Sequence, residues 1–126
     1  MDRRDYYVYE LALDFPEDSP LFPLSGWVFY VGKGTGARID QHEKETRLKL
    51  IGRARRKRNG LGEYTHKHKM ILLAWDHAGR VIKNKVATRL TEEEAYAIEA
   101  ERINIYGMEY LTNEALPRKP KRKTPR

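Results

Sequence analysis

Tyr30, Lys33, Arg38 and His42 put a phenol, an ammonium, a guanidinium and an imidazole into one short stretch, Phe29-Tyr30-Val31-Gly32-Lys33-Gly34-Thr35-Gly36-Ala37-Arg38-Ile39-Asp40-Gln41-His42. Two of these groups carry fixed positive charge and two can hold or move a proton, a mixture that suits work on a phosphate. Arg38 and His42 are four residues apart, which places them on one face of a helix.

The elements that must position these groups can be read from pattern. Trp27 to Val31 is aromatic and β-branched, and Gly26–Val31 is predicted as a strand. Gly32, Gly34 and Gly36 then turn the backbone, and Ala37–Lys44 starts a short helix. Upstream, Tyr6–Leu13 reads as another strand, with Tyr7, Tyr9 and Leu11 on one face and Tyr6, Val8 and Glu10 on the other. The Asp14–Gly26 segment between the two strands holds prolines and is longer than a tight hairpin needs, so a surface insertion is expected.

Beyond the short helix, Leu48, Ile51 and Ala54 suggest a second helix from Glu45 to about Arg58, stopped by Asn59-Gly60. It carries Arg47, Lys49, Arg53, Arg55, Arg56, Lys57 and Arg58, a set that fits nucleic-acid contact better than a merely solvated face. Met70–Trp75 is apolar and too short to assign by period; Met, Leu and Ala favour a helix ending near Gly79. Arg80–Leu90 is predicted as a third strand. Thr91-Glu92-Glu93-Glu94 opens a helix with a capping box, acids at the positive end of its dipole, and a stop at Gly107. Tyr110–Asn113 is a short return segment. A domain over 1–116 is followed by a Pro-Lys-Arg tail, 117–126, expected to be disordered.

Length and charge set bounds. A chain of 126 residues is one domain. A net charge of +7, from 25 Lys and Arg against 18 Asp and Glu, favours a polyanionic partner, nucleic acid or an acidic membrane surface, over a solvated basic surface with none. With no cysteine, disulfides and thiolate metal sites are excluded. No apolar run approaches the length of a membrane span, and Met1-Asp2-Arg3-Arg4-Asp5 lacks the apolar core of a signal peptide. An intracellular, cytoplasmic protein, monomeric or weakly dimeric, is expected.

The ordered set resembles the GIY-YIG nuclease superfamily over about residues 5–114. Tyr7-Val8-Tyr9 stands at its first motif and Tyr30-Val31-Gly32 at its second. The form Tyr-Val-Gly-Lys-Gly, followed by Arg38 and His42, is most similar to the branch with the LEM-domain nucleases and small bacterial and phage members. The resemblance implies an α+β fold, a small central three-stranded, mainly antiparallel sheet flanked by helices. It implies a metal-dependent DNA endonuclease using Mg²⁺ or Mn²⁺, structure-directed or loosely sequence-directed. Tyr9 and Tyr30 match the motif tyrosines, with Tyr9 favoured as the base. Lys33 matches a recurring lysine, Arg38 the arginine that holds the scissile phosphate, and His42 a histidine that orients or relays a proton. Glu99 matches the metal-binding glutamate, Gly32 the glycine beside the site, and Asn113 a supporting asparagine. Tyr7 departs from the pattern, since the motif has glycine there.

Elementary chemistry is compatible with those roles. An unperturbed tyrosine is a poor base at neutral pH, and Lys33, Arg38 and a metal would each favour its phenolate. One carboxylate completed by waters and substrate oxygens is a usual Mg²⁺ arrangement. Plainer alternatives stand beside them: packing for Tyr9 and Tyr30, a helix-face position for His42, an ion pair with an arginine for Glu99, and a turn cap for Asn113. His66 and His68, like Asp76 and His77, read as surface residues rather than metal ligands. A degenerate nucleic-acid-binding module and a toxin-like RNase are the alternative functions.

Overall fold

A computed structural model describes residues 3–55 and 65–113. Three strands, β1 (Tyr6–Asp14), β2 (Val28–Gly34) and β3 (Arg80–Leu90), form one sheet in the order β2-β1-β3, and both pairings are antiparallel. Helices α1 (Arg38–Arg55) and α2 (His66–Asp76) follow β2, and α3 (Glu92–Tyr106) follows β3. Short 3-10 turns lie at Phe22–Leu24 and Met108–Tyr110. No helix among the described residues is long and apolar enough to cross a membrane.

Central position explains why β1 is apolar on both faces. Tyr7, Tyr9, Leu11 and Leu13 join Ile39 of α1 and Ile71 and Ala74 of α2 in one core cluster. Val8 joins Val31 of β2 and Ala95 and Ile103 of α3 in a second cluster across the sheet. The expected alternation of β1 is therefore present, with both of its sides covered.

Two expectations about the segment after Val31 are corrected. Strand β2 does not stop at the first glycine but continues through Gly32 to Gly34, which pair with Tyr9 and Tyr7. The glycines are needed there because of what crosses them. A Cβ on Gly32 would come within 2.6 Å of the Tyr9 ring and hydroxyl, and one on Gly34 would collide with the stem of Arg38. The turn itself falls at Gly36, whose φ of 56° lies in the left-handed region.

The predicted helices 37–44 and 45–58 are one helix, α1. No glycine or proline interrupts residues 43–46, and the buried Thr46 hydroxyl folds back onto the His42 carbonyl at 2.8 Å. Of the apolar residues that suggested a separate helix, Leu48 is 54% and Ile51 43% exposed. Arg53 and Arg55 fall on the last described turn. Arg56, Lys57 and Arg58, the Asn59-Gly60 stop and the 117–126 tail lie outside the described residues.

The Asp14–Gly26 segment is more than a surface insertion. Phe15 is buried in the core, with Leu21 and Leu24 packed against it, and the Phe15 amide donates to Ser25 Oγ. Helix α3 starts as predicted at an N-capping Thr91 with Glu94 closing the capping box, and ends at Gly107 with φ 87°.

Candidate active site

The glycine end of the β1–β2 pair gathers the aromatic part of the site. Tyr9 and Tyr30 have ring centroids 6.1 Å apart, and Tyr30 and His42 4.7 Å. Tyr9 comes from β1, Tyr30 from β2 and His42 from the second turn of α1. The absent side chain at Gly32 lets the Tyr9 ring cross the neighbouring strand. The Tyr9 hydroxyl is hydrogen-bonded to His42 Nε2, and both residues are fully buried.

Burial governs the electrostatics of this pair. It holds His42 down to about 3, helped by the nearby charges of Lys67 and Arg38, so the imidazole is neutral. It also pushes Tyr9 well above the usual phenol range, with Tyr30 adding to the rise and Arg38 opposing it. Tyr30 moves the same way from burial, again opposed by Arg38. The expectation that cations would bring the phenol down is thus reversed in the protein alone, because loss of solvent outweighs the guanidinium. With both groups neutral, the phenol donates to Nε2 and the ring proton sits on Nδ1, a buried atom with no hydrogen-bond partner among the described residues.

Arg38 is on the first turn of α1, and its guanidinium donates to Gln41 Oε1 at 2.9 Å. Its charge acts on Tyr9, Tyr30 and His42 alike, so all four groups share one corner.

Glu99 and Lys33 complete the site from the α3 side. Lys33 pairs with Val8, which puts it on the sheet face that α3 covers. Glu99 is 8% exposed and has no hydrogen bond or ion pair among the described residues. Burial raises its carboxyl to about 7, with Lys33 pulling the other way. The arginine expected as an alternative partner is taken by another acid. Arg102 Nε meets Glu10 Oε2 at 2.7 Å, and the Tyr106 hydroxyl donates to Glu10 Oε1 at 2.8 Å. Glu10 on β1 thereby fixes α3, one turn beyond Glu99.

Asn113 supports the site from the sheet edge. Its side chain accepts from the Val31 amide at 3.1 Å and donates to the Val31 carbonyl at 2.7 Å, acting as a piece of strand beside β2. Thr112 does the same for the Phe29 carbonyl with its amide and hydroxyl. The turn-cap alternative for Asn113 is not what the fold uses.

His68 is corrected from surface to interior. It is 4% exposed, closes a capping box with Thr65, and has Nε2 3.7 Å from Glu45. His66, Asp76 and His77 are exposed. Among the described residues no three His, Asp or Glu side chains converge to hold a metal ion. Of the basic set on α1, Arg47 lies over the Trp75 ring at 5.5 Å, away from the tyrosine corner. Sequence reasoning missed Lys67, whose ammonium is 5.0 Å from the Tyr30 ring centre. Nothing in local spacing could have found it, since only the packing of α2 against α1 and the sheet brings it there.

A sheet of three strands with a tyrosine pair, a glycine-lysine strand end and a buried glutamate across the sheet defines a nuclease-type α+β domain. The chain matches the family model of the LEM-3-like GIY-YIG domain over residues 17–119, and it belongs to that family. The matched span starts after β1, so Tyr7 and Tyr9 take their place from the pairing of β1 with β2. No curated protein and no solved structure matches the chain.

Proposed function

We propose that this domain is a Mg²⁺- or Mn²⁺-dependent endonuclease that hydrolyses DNA phosphodiesters to a 5′-phosphate and a 3′-hydroxyl. The observation that carries the reading is Glu99, a buried carboxylate on the α3 side without a hydrogen bond or ion pair among the described residues, whose charge acts on Tyr9 and Tyr30 of the corner that also holds Arg38 and His42. A carboxylate so poorly compensated in the protein alone fits a hard cation whose other ligands are waters and phosphate oxygens. When bound, the ion would neutralise phosphoryl charge and make water a better nucleophile.

The chain's own residues supply the rest. Arg38 binds two phosphate oxygens at once, held in direction by Gln41. Lys33 adds charge from the α3 side, and Asn113 holds the backbone of Val31 between Tyr30 and Gly32. Of the two phenols only Tyr30 has solvent exposure, which supports Tyr30 as the group that meets the attacking water. As water attacks phosphorus and the P–O3′ bond breaks, the water gives its proton to Tyr30, Tyr30 gives its own to Tyr9 and Tyr9 gives its own to His42 Nε2, so the imidazole ends the step protonated, while a solvent water protonates the departing 3′-oxygen. Burial does most to hold His42 down; substrate phosphate counters the added effect of Lys67 and Arg38 and so favours that transfer.

The test is cleavage of labelled single-stranded, duplex, flap and junction DNA and matched RNA, with Mg²⁺, with Mn²⁺ and with EDTA. Wild type should cut DNA with either metal and not in EDTA. Glu99→Ala should abolish cutting while DNA binding persists, and Arg38→Ala should cost about 100-fold or more in turnover. DNA retention without cleavage by wild type would favour a binding module, and faster cleavage of RNA an RNase.

A further inference from the structure

We infer that Tyr7, which replaces the glycine of the first motif, is a positioning residue for Arg38; the inference rests on the nuclease reading above. Tyr7 is 5% exposed, and its hydroxyl both donates and accepts a hydrogen bond. It donates to the Gly36 carbonyl at 2.7 Å and accepts from the Ile39 amide at 2.9 Å. Those two backbone groups flank Arg38, one on each side. The hydroxyl of the central strand thus bridges the turn from which the guanidinium projects.

The surrounding contacts give this bridge a single geometry. Tyr7 pairs in register with Gly34, and the missing side chain at Gly34 is the space the Arg38 stem occupies. The Arg38 amide donates to the Thr35 carbonyl at 3.1 Å, closing the turn from within. The Tyr7 ring packs edge-on to Tyr9 at 5.8 Å, and the Lys85 ammonium lies 4.3 Å from its centre on the other strand. The ring is therefore clamped between the catalytic corner and β3, and its hydroxyl transmits that fixed position to α1. Glycine at position 7 would leave the Gly36 carbonyl and the Ile39 amide without this partner, at a helix start whose amides have none within the helix. The departure from the motif thus has a physical consequence, in that it ties the arginine-bearing turn to the most buried strand.

Tyr7→Phe keeps the ring and removes only the two hydrogen bonds. In the full chain, without metal or DNA, side-chain NMR relaxation of Arg38 Nε–Hε should show lower order than in wild type. The single-turnover cleavage rate should fall about 10- to 100-fold, as expected for a misplaced phosphate ligand, while DNA affinity in EDTA changes little. In an Arg38→Ala background Tyr7→Phe should bring no further loss, because the two act through one group. Unchanged Arg38 order, or a loss that simply adds to that of Arg38→Ala, would overturn the inference in favour of packing alone. If wild type cuts nothing but Arg38 loosens in Tyr7→Phe, the nuclease reading fails while the positioning role stands.

Discussion

At the scale of single residues, the site is a set of groups that burial pushes toward their neutral forms. Glu99 and His42 illustrate this with opposite signs. The folded carboxyl of Glu99 is raised from 4.5 to about 7, so its contribution to stability is complete below 4.5 and is lost as pH rises through 7. The imidazole of His42 is lowered from 6.5 to about 3, so its contribution is present above 6.5 and is lost as pH falls through 3. Between about 4.5 and 6.5 the two slopes oppose, and a wild-type profile would hide both. Glu99→Gln isolates one of them. In EDTA this variant should gain stability over wild type between pH 5 and pH 8, by up to ~3 kcal/mol. Urea melts at the two pH values measure it, and an equal difference at both would mean that the carboxylate is not desolvated. The same proton must leave before a cation binds, so Mn²⁺ affinity, followed by electron paramagnetic resonance, should be higher at pH 8 than at pH 6.

The elements explain why these residues meet. Strand β2 is a sheet edge, and an edge with open amides and carbonyls is prone to fray or to pair with another chain. Thr112 and Asn113 cover it at Phe29 and Val31, the residues on either side of Tyr30. Asn113→Ala should therefore cost ~1–3 kcal/mol, since it strips the Val31 amide and carbonyl of their side-chain partners. Thermal melts together with cleavage rates would check this, and a variant as stable and active as wild type would remove Asn113 from the supporting set. Helix α3 is legible in the sequence because its start is a local device, Thr91 capping and Glu94 answering. Helix α1 is continuous where apolar spacing predicts two helices: nothing between Lys44 and Thr46 breaks a helix, and Leu48 and Ile51 are exposed. Local apolar spacing shows which residues share a face and says nothing about whether a partner covers that face.

For the molecule as a whole, the net charge of +7 is unevenly used. Arg80 is tied to Asp14, joining β3 to β1, while Lys83 is tied to Asp40 and Glu43 and Arg102 to Glu10, joining strands to helices. Arg38 and Lys67 flank the tyrosine corner, Lys33 acts on Glu99 from the α3 side, and Arg47 and Lys49 follow along α1. Binding of a DNA duplex should fall steeply with salt, with a log–log slope of roughly −3 to −6 if about four to six phosphates are contacted. Fluorescence anisotropy from 50 to 200 mM NaCl, about the range over which such slopes are read, would give that number. A flat response would mean that the basic surface faces solvent and not DNA.

The sequence by itself determined the strands, the capped helix and the chemical kinds of group available, because alternation, capping and glycine punctuation are written in neighbouring residues. It also determined the family, through an ordered series of motifs whose separate members are weak. Only the tertiary structure decided which acid keeps its charge uncompensated. Glu10 and Glu99 both lie among apolar neighbours in the chain, and it is the crossing of α3 over β1 that gives Arg102 to the first and leaves the second alone. The same holds for the phenols, since no pattern along the chain shows how much water a side chain will lose. Desolvation depends on everything packed around a group, and so the direction in which Tyr9, His42 and Glu99 are shifted was fixed by the fold.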